Sequence, residues 1–282
     1  MLRITSWLLF LAIHAGDGKE PTDRLIPSGW QGNAWGPAAT KARDTGELPP
    51  LPMTDSMKRW DRWARTVLKD GDILFRRGDA RVLFGYFPFS KFIANASGSK
   101  YSHTGIVAIE GGAPFVYDST KASVRRQPFH IWVMDNVGAF GVKRLRADRQ
   151  SHVSKVLRFC REVFERQVPF DYKLGLGDDS LYCVEMTEKA FRSAGMKLSE
   201  PVRIRDMERA SEFPICFFMV RQLSTLTLDQ QIFFPGNERH GIWSSPLLEQ
   251  VYPPVPAAPR PSPSPAPTSA TVNSNKPAPP RR

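Results

Sequence analysis

Hydrophobic positions along the chain alternate between helical and strand spacing. Trp60, Trp63, Ala64, Val67 and Leu68 recur at the i, i+3, i+4, i+7, i+8 spacing of one buried face. That pattern predicts a helix over 55–69, capped by Asp55 or Ser56. Asp70-Gly71 ends it, and Asp72 to Arg76 reads as a short strand. Ser102 to Ile109 alternates toward β, Gly111-Gly112 marks a hairpin turn, and Phe115-Val116-Tyr117 resumes the strand. Phe140 to Leu145 and Ile215 to Val220 are further strand candidates. Val153, Val156, Leu157, Cys160, Val163 and Phe164 share one face of a helix over about 150–167. A third helix starts near Cys183 and stops at Gly195, a good C-cap. The mixture predicts one α+β domain over 55–235, large enough for a single core.

The two ends follow other rules. Met1 to Ala15 carries one positive charge, Arg3, then an apolar stretch from Ile4 to Ile13, then small residues at Ala15 and Gly16. This is the layout of a signal peptide over 1–15, and it predicts a periplasmic or secreted protein. Residues 16–54 are rich in Gly, Pro and polar side chains and read as an irregular arm. From Tyr252 onward 11 of 31 residues are proline, so 252–282 reads as a disordered tail, partly polyproline II. Residues 236–251 are left as a C-terminal extension. Beyond the first 15 residues no apolar run approaches the ~20 needed to cross a bilayer.

Composition narrows the function classes. The 282 residues are 41% hydrophobic and 24% charged, close to the globular average. The net charge is +11, but Arg260, Lys276, Arg281 and Arg282 lie in the tail without any acid, so the body is only mildly basic. A basic body and Pro-rich tail suit peripheral contact with an anionic envelope surface. No basic helix interleaves aromatic residues and no nucleic-acid module is legible, so nucleic acid is not an expected partner. The three cysteines lie 23 and 33 residues apart, without zinc-type spacing, and neither metal nor other cofactor is expected. In an oxidising space Cys160 and Cys216 could pair, although Cys160 on an apolar helix face also reads as a small core residue.

Three positions carry candidate chemistry. Cys183 stands where the polar loop Gly177-Asp178-Asp179-Ser180 gives way to a helix. Backbone N–H groups and the positive end of the dipole there favour thiolate over thiol, whose reference pKa is about 8.5. The same N–H groups can hold a developing oxyanion. His103 stands at the mouth of a strand, able to offer one ring nitrogen to a thiol and the other to an orienting acceptor. Asp118 ends the partner strand, so a hairpin about Gly111-Gly112 returns it beside His103, where it could fix the tautomer. Each has a plainer explanation alone: a cysteine filling a helix–sheet seam, a hydrogen-bonded half-buried histidine, an aspartate in turn chemistry.

The order of the three, with Gly71-Asp72-Ile73-Leu74-Phe75-Arg76, Ser102-His103-Thr104-Gly105-Ile106-Val107, Val116-Tyr117-Asp118, Pro169-Phe170-Asp171-Tyr172 and Tyr182-Cys183-Val184-Glu185, resembles the circularly permuted papain-like amidases. These are the YiiX/YebB-like branch of the NlpC cysteine hydrolases, related to lecithin retinol acyltransferases. The resemblance spans about 70–195 and implies a permuted papain-like (NlpC-type) α+β fold, an antiparallel sheet packed against helices. It implies Cys183 as nucleophile, His103 as general base and acid, and Asp118 as the orienting residue. Glu185 matches a position where the family commonly has Glu; with Tyr182 and Ser102 it is expected at the substrate site. The family usually has Ser where this chain has Val184, and His or Glu where it has Asp118.

The resulting expectation is a cysteine hydrolase that cleaves an amide, first of all in a cell-wall peptide, through a thioester. A lipid ester or thioester hydrolase or acyltransferase on the same site is the second reading, supported by the aromatic residues of Phe84-Gly85-Tyr86-Phe87-Pro88-Phe89, which also suit plain core packing. A non-catalytic secreted binding module is the third.

Overall fold

The computed structural model describes residues 33–49, 51–80, 88–120, 123–214, 218 and 226–253. In chain order its main elements are α1 (Pro37–Asp44), α2 (Asp55–Val67), β1 (Ile73–Arg76), α3 (Phe89–Ala96), β2 (His103–Glu110), β3 (Ala113–Ser119) and β4 (Val124–Pro128). The single turn α4 (Phe129–Trp132), β5 (Phe140–Leu145), α5 (Val153–Glu165), α6 (Cys183–Ser193), β6 (Val202–Arg203), β7 (Gln231–Ile232) and β8 (Leu248–Tyr252) follow.

A six-stranded antiparallel sheet, ordered β4-β3-β2-β1-β5-β8, forms the centre. β1 lies inside it and is buried along its whole length, as its unbroken apolar run Ile73-Leu74-Phe75 requires. Alternation divides the sheet's side chains between two cores. Ile73, Phe75, Ile106, Ala108 and Tyr117 meet α5 and α6 on one face. Leu74, Val107, Val116 and Val142 meet α2 and α4 on the other. The apolar stripe of α5 contains the six residues that periodicity put there.

Local chemistry sets the boundaries. Thr54, rather than Asp55 or Ser56, caps α2: its Oγ1 accepts the Met57 N–H at 3.2 Å. Gly71 adopts φ +78°. A Cβ there would come within 2.9 Å of the Val153 side chain, so both conformation and packing demand glycine. Asp72 is buried and holds the α2–β1 turn, accepting from Lys69 N at 2.9 Å and from both sides of the Arg144 fork at 2.7 Å.

Several expectations change. The arm over 16–54 contains α1, which packs near Trp35 and the edge of β4, where Arg126 N donates to Trp35 O at 2.9 Å. The sheet does not stop at 235, because β8 pairs with β5 and brings the expected extension into the domain. Short exposed stretches read as loops from sequence when their partner strand is more than a hundred residues away. Most of the strand expected over Ile215–Val220 lies outside the described residues, and its described neighbours Pro214 and Phe218 are helical. Cys160 is a free thiol in the core, and Cys216 lies outside the described residues. So do the signal segment 1–15, most of the Pro-rich tail and the aromatic residues of 81–87. Among the described residues no helix is long and apolar enough to cross a membrane.

Candidate active site

The hairpin β2–β3 brings His103 and Asp118 together, with Nε2 of the ring 2.6 Å from Oδ2 of the carboxylate. Gly105 makes this approach possible. A Cβ on it would lie 2.6 Å from a methyl of Val116 and 3.4 Å from the Asp118 Cβ. With Nε2 engaged, Nδ1 is the ring nitrogen open to a second partner, and Cys183, lining the same cavity, is close enough to raise the ring's proton affinity. Cys183 is the first residue of α6, half-buried, at the end where the helix N–H groups are unpaired.

Helix and strand are fastened at this point. Thr104 Oγ1 donates to the Cys183 carbonyl at 3.3 Å and meets Thr187 Oγ1 at 2.9 Å. Ser119 Oγ donates to Leu181 O at 2.6 Å, tying β3 to the loop before the nucleophile. Asp171 organises that loop, accepting from Lys173 N at 2.8 Å and Gly175 N at 2.6 Å.

Electrostatics fix the charge states. Burial opposes a charged His103 ring, and Arg76 adds to that. Cys183 and the Asp118 hydrogen bond outweigh both and carry it up to about 9. Burial would raise the Asp118 carboxyl, but Arg125 and His103 hold it well below the usual carboxylate range. At neutral pH these shifts favour an imidazolium paired with the Asp118 carboxylate.

Asp118 is also held from behind. Arg125, directly opposite it on β4, donates Nε to Oδ1 at 2.7 Å and Nη2 to Oδ2 at 3.1 Å. Trp132 Nε1 donates to Oδ2 at 2.7 Å. These residues were absent from the sequence reading. A signal existed: β4 begins soon after β3 ends and pairs antiparallel with it, so an acid and a base at matching positions face each other.

The remaining predicted residues separate. Ser102 and Tyr182 line the cavity in front of Cys183; Glu185 is not in its lining. Ser102 Oγ accepts Gly78 N at 3.0 Å. The Tyr182 hydroxyl accepts Phe233 N at 2.6 Å and donates to Phe233 O at 3.2 Å. Glu185 is fully buried, accepting Tyr182 N at 3.3 Å and pairing with Lys189 at 3.0 Å, a capping rather than a substrate-contacting placement. Burial pushes its carboxyl up to about 7, against Lys189 and the Tyr182 N–H. His130 and His152 are engaged elsewhere, with Asp61 at 3.3 Å and Ala194 O at 3.1 Å.

The cavity holds about 250 Å³. Its walls are mainly apolar, with Phe89, Ile93, Phe170, Leu174, Phe233 and Phe234 among them, and Cys183 and His103 stand at its polar side with Arg76 and Asp135. Among the described residues no three His, Cys, Asp or Glu side chains are grouped as a metal ion would require.

A family model described as permuted papain-like amidase enzyme, YaeF/YiiX, matches residues 67–214. The chain is similar to YiiX of Escherichia coli (strain K12), described as an uncharacterized protein, at 25% identity over 143 residues. That match takes in 50% of this chain and 66% of the length of the curated relative. Among solved structures, the crystal structure of metalloprotein YiiX from Escherichia coli O157:H7 superposes with a TM-score of 0.55 at 22% identity, covering 66% of this chain and 97% of that one. Its likeness shows the fold.

Proposed function

Because the chain belongs to the permuted papain-like amidase family of YaeF and YiiX, we propose that it is a cysteine hydrolase cleaving an acyl amide through a thioester on Cys183. The observation that carries this reading is the His103–Asp118 pair at 2.6 Å, with His103 and Cys183, the first residue of α6, lining the same cavity. The Cys183 sulfur attacks the carbonyl carbon, and the electron pair of the C=O bond moves to oxygen. N–H groups at the start of α6 hold that oxyanion. The His103 imidazolium protonates the leaving nitrogen, the C–N bond breaks, and the thioester remains. Water then attacks, giving a proton to His103, and the carboxylic acid leaves Cys183 free.

The neighbouring Escherichia coli O157:H7 structure is described as a metalloprotein. The donors here do not fit a metal, because the Asp118 oxygens are taken up by His103, Arg125 and Trp132. No step is routed through one.

The apolar lining favours the second reading for the acyl half. A hydrocarbon chain loses water on entering such a cavity, whereas the amides and carboxylates of a cell-wall peptide need polar partners there. The apolar N-terminal stretch supports action outside the cytoplasm, with peripheral envelope contact through the basic body and tail. The test is hydrolysis of matched panels of muropeptides, long-chain acyl amides, acyl esters and acyl thioesters by wild type and Cys183→Ala. Cys183-dependent cleavage of the long-chain amides is expected. Equal turnover by the alanine variant, or no turnover of any panel with a Cys183 no faster toward iodoacetamide than Cys160, overturns the hydrolase. Burial pushes Cys160 up to about 12, so it is the slow internal reference.

A further inference from the structure

We propose that Arg125 and Trp132 are positioning residues of this site, which clamp Asp118 in one orientation so that His103 presents Nδ1 to Cys183. The proposal rests on the cysteine-hydrolase reading and goes beyond its three reacting groups.

The geometry is that of a carboxylate with no freedom left. Asp118 is 1% exposed. Its Oδ2 takes the ring of His103 at 2.6 Å, the indole N–H at 2.7 Å and Arg125 Nη2 at 3.1 Å; its Oδ1 takes Arg125 Nε at 2.7 Å. Rotation about the Asp118 side chain would break a donor on each oxygen in a medium without water to replace it. A lone aspartate is shorter than the His or Glu more usual here, and the donors behind it hold it against the ring.

Trp132 does three things at once. Its N–H fixes Oδ2, its ring lies 5.9 Å from the His103 ring at a 31° tilt, and its face takes the Arg76 guanidinium at 4.6 Å. Arg76 stands opposite His103 in the β1–β2 register. Asp135 lies between the two arginines, 3.4 Å from Arg76 Nη1 and 3.8 Å from Arg125 Nη2. The titratable and charged groups facing the His103–Asp118 pair are thus Cys183 from α6, Arg76 from β1 and Arg125 from β4, with Asp135 balancing the arginines. Positive and negative groups alternate through the cluster, so the loss of one reaches the ring through its neighbours.

The experiment is the pH dependence of iodoacetamide labelling at Cys183, read by mass spectrometry on the full chain. Wild type, Trp132→Phe, which removes the N–H and keeps a ring, and Arg125→Lys, which keeps the charge and removes the fork, are compared. Circular dichroism and melting establish that each is folded, and if one variant does not fold the other decides. Labelling near pH 6 is expected to fall about tenfold in the folded variants, while the rate in strongly alkaline solution stays within about twofold. Folded variants with the wild-type profile overturn the positioning role. A wild-type Cys183 as slow as Cys160 overturns the hydrolase reading instead, so the two failures are distinct.

Discussion

The hydroxyls of Thr104 and Thr187 lie 2.9 Å apart, and each is also within 3.3 Å of the Cys183 carbonyl. One residue follows the candidate base and the other sits a helical turn beyond the candidate nucleophile. A strand and a helix eighty residues apart in sequence are thereby joined at the point where their reacting groups meet. Thr104→Val keeps the shape and deletes this join. It is expected to destabilise the fold by about 1–2 kcal/mol in denaturant titration. The rate of Cys183 labelling should fall with it, since the helix start is freed to drift from the ring. Unchanged labelling would show that core packing alone sets the register.

The protonated ring of His103 gives the fold a pH signature. A group that binds its proton more tightly when folded stabilises the fold while protonated. That contribution is complete below about pH 6.5 and is lost as pH rises through about 9. Wild-type melting temperature is expected to drop across this interval, and the drop should shrink in His103→Gln. Activity should decline over the same alkaline range, as the leaving group loses its proton donor. Parallel melting profiles for the two proteins would remove the imidazolium from the account.

Glu185 acts in the same direction at lower pH. Burial carries its carboxyl from 4.5 to about 7, so the folded state favours its neutral form. Its contribution is present below about 4.5 and is lost as pH rises to about 7. Glu185→Gln preserves an acceptor for Tyr182 N and cannot ionise. Relative to wild type it is expected to gain stability steadily over that interval, measured by urea unfolding at a series of pH values. A constant difference between the two would mean that Lys189 holds the carboxylate charged throughout.

What the sequence revealed, and what it hid, follows the range of the contacts involved. Gly111-Gly112 is a local signal, and it was enough to align His103 with Asp118, because a tight turn determines the pairing behind it. The helix start at Cys183 was legible from the loop-to-apolar switch ahead of it. Arg125 was not: Val124–Pro128 holds two arginines and ends in proline, a composition that resembles exposed loop until β3 is laid beside it. Trp132 was hidden because its value lies in one N–H aimed at a residue 14 positions back. Glu185 reads toward substrate because two residues after a nucleophile lies near the chemistry in sequence; about half a helical turn points it into the protein. β8 escaped because a strand that closes a sheet edge from the far end of a domain carries no local mark of its partner.

The hydroxyl of Tyr182 is gripped by both backbone groups of Phe233, and this ties the residue before the cysteine to a segment 51 positions downstream. The family match ends at residue 214, yet Ile232, Phe233, Phe234 and Pro235 build one wall of the cavity. The reacting groups lie within the family match and that wall lies downstream of it. Changes in this wall are therefore expected to alter what the cavity admits while Cys183, His103 and Asp118 stay in place, under one constraint: some main-chain amide must stay in reach of the tyrosine that precedes the cysteine.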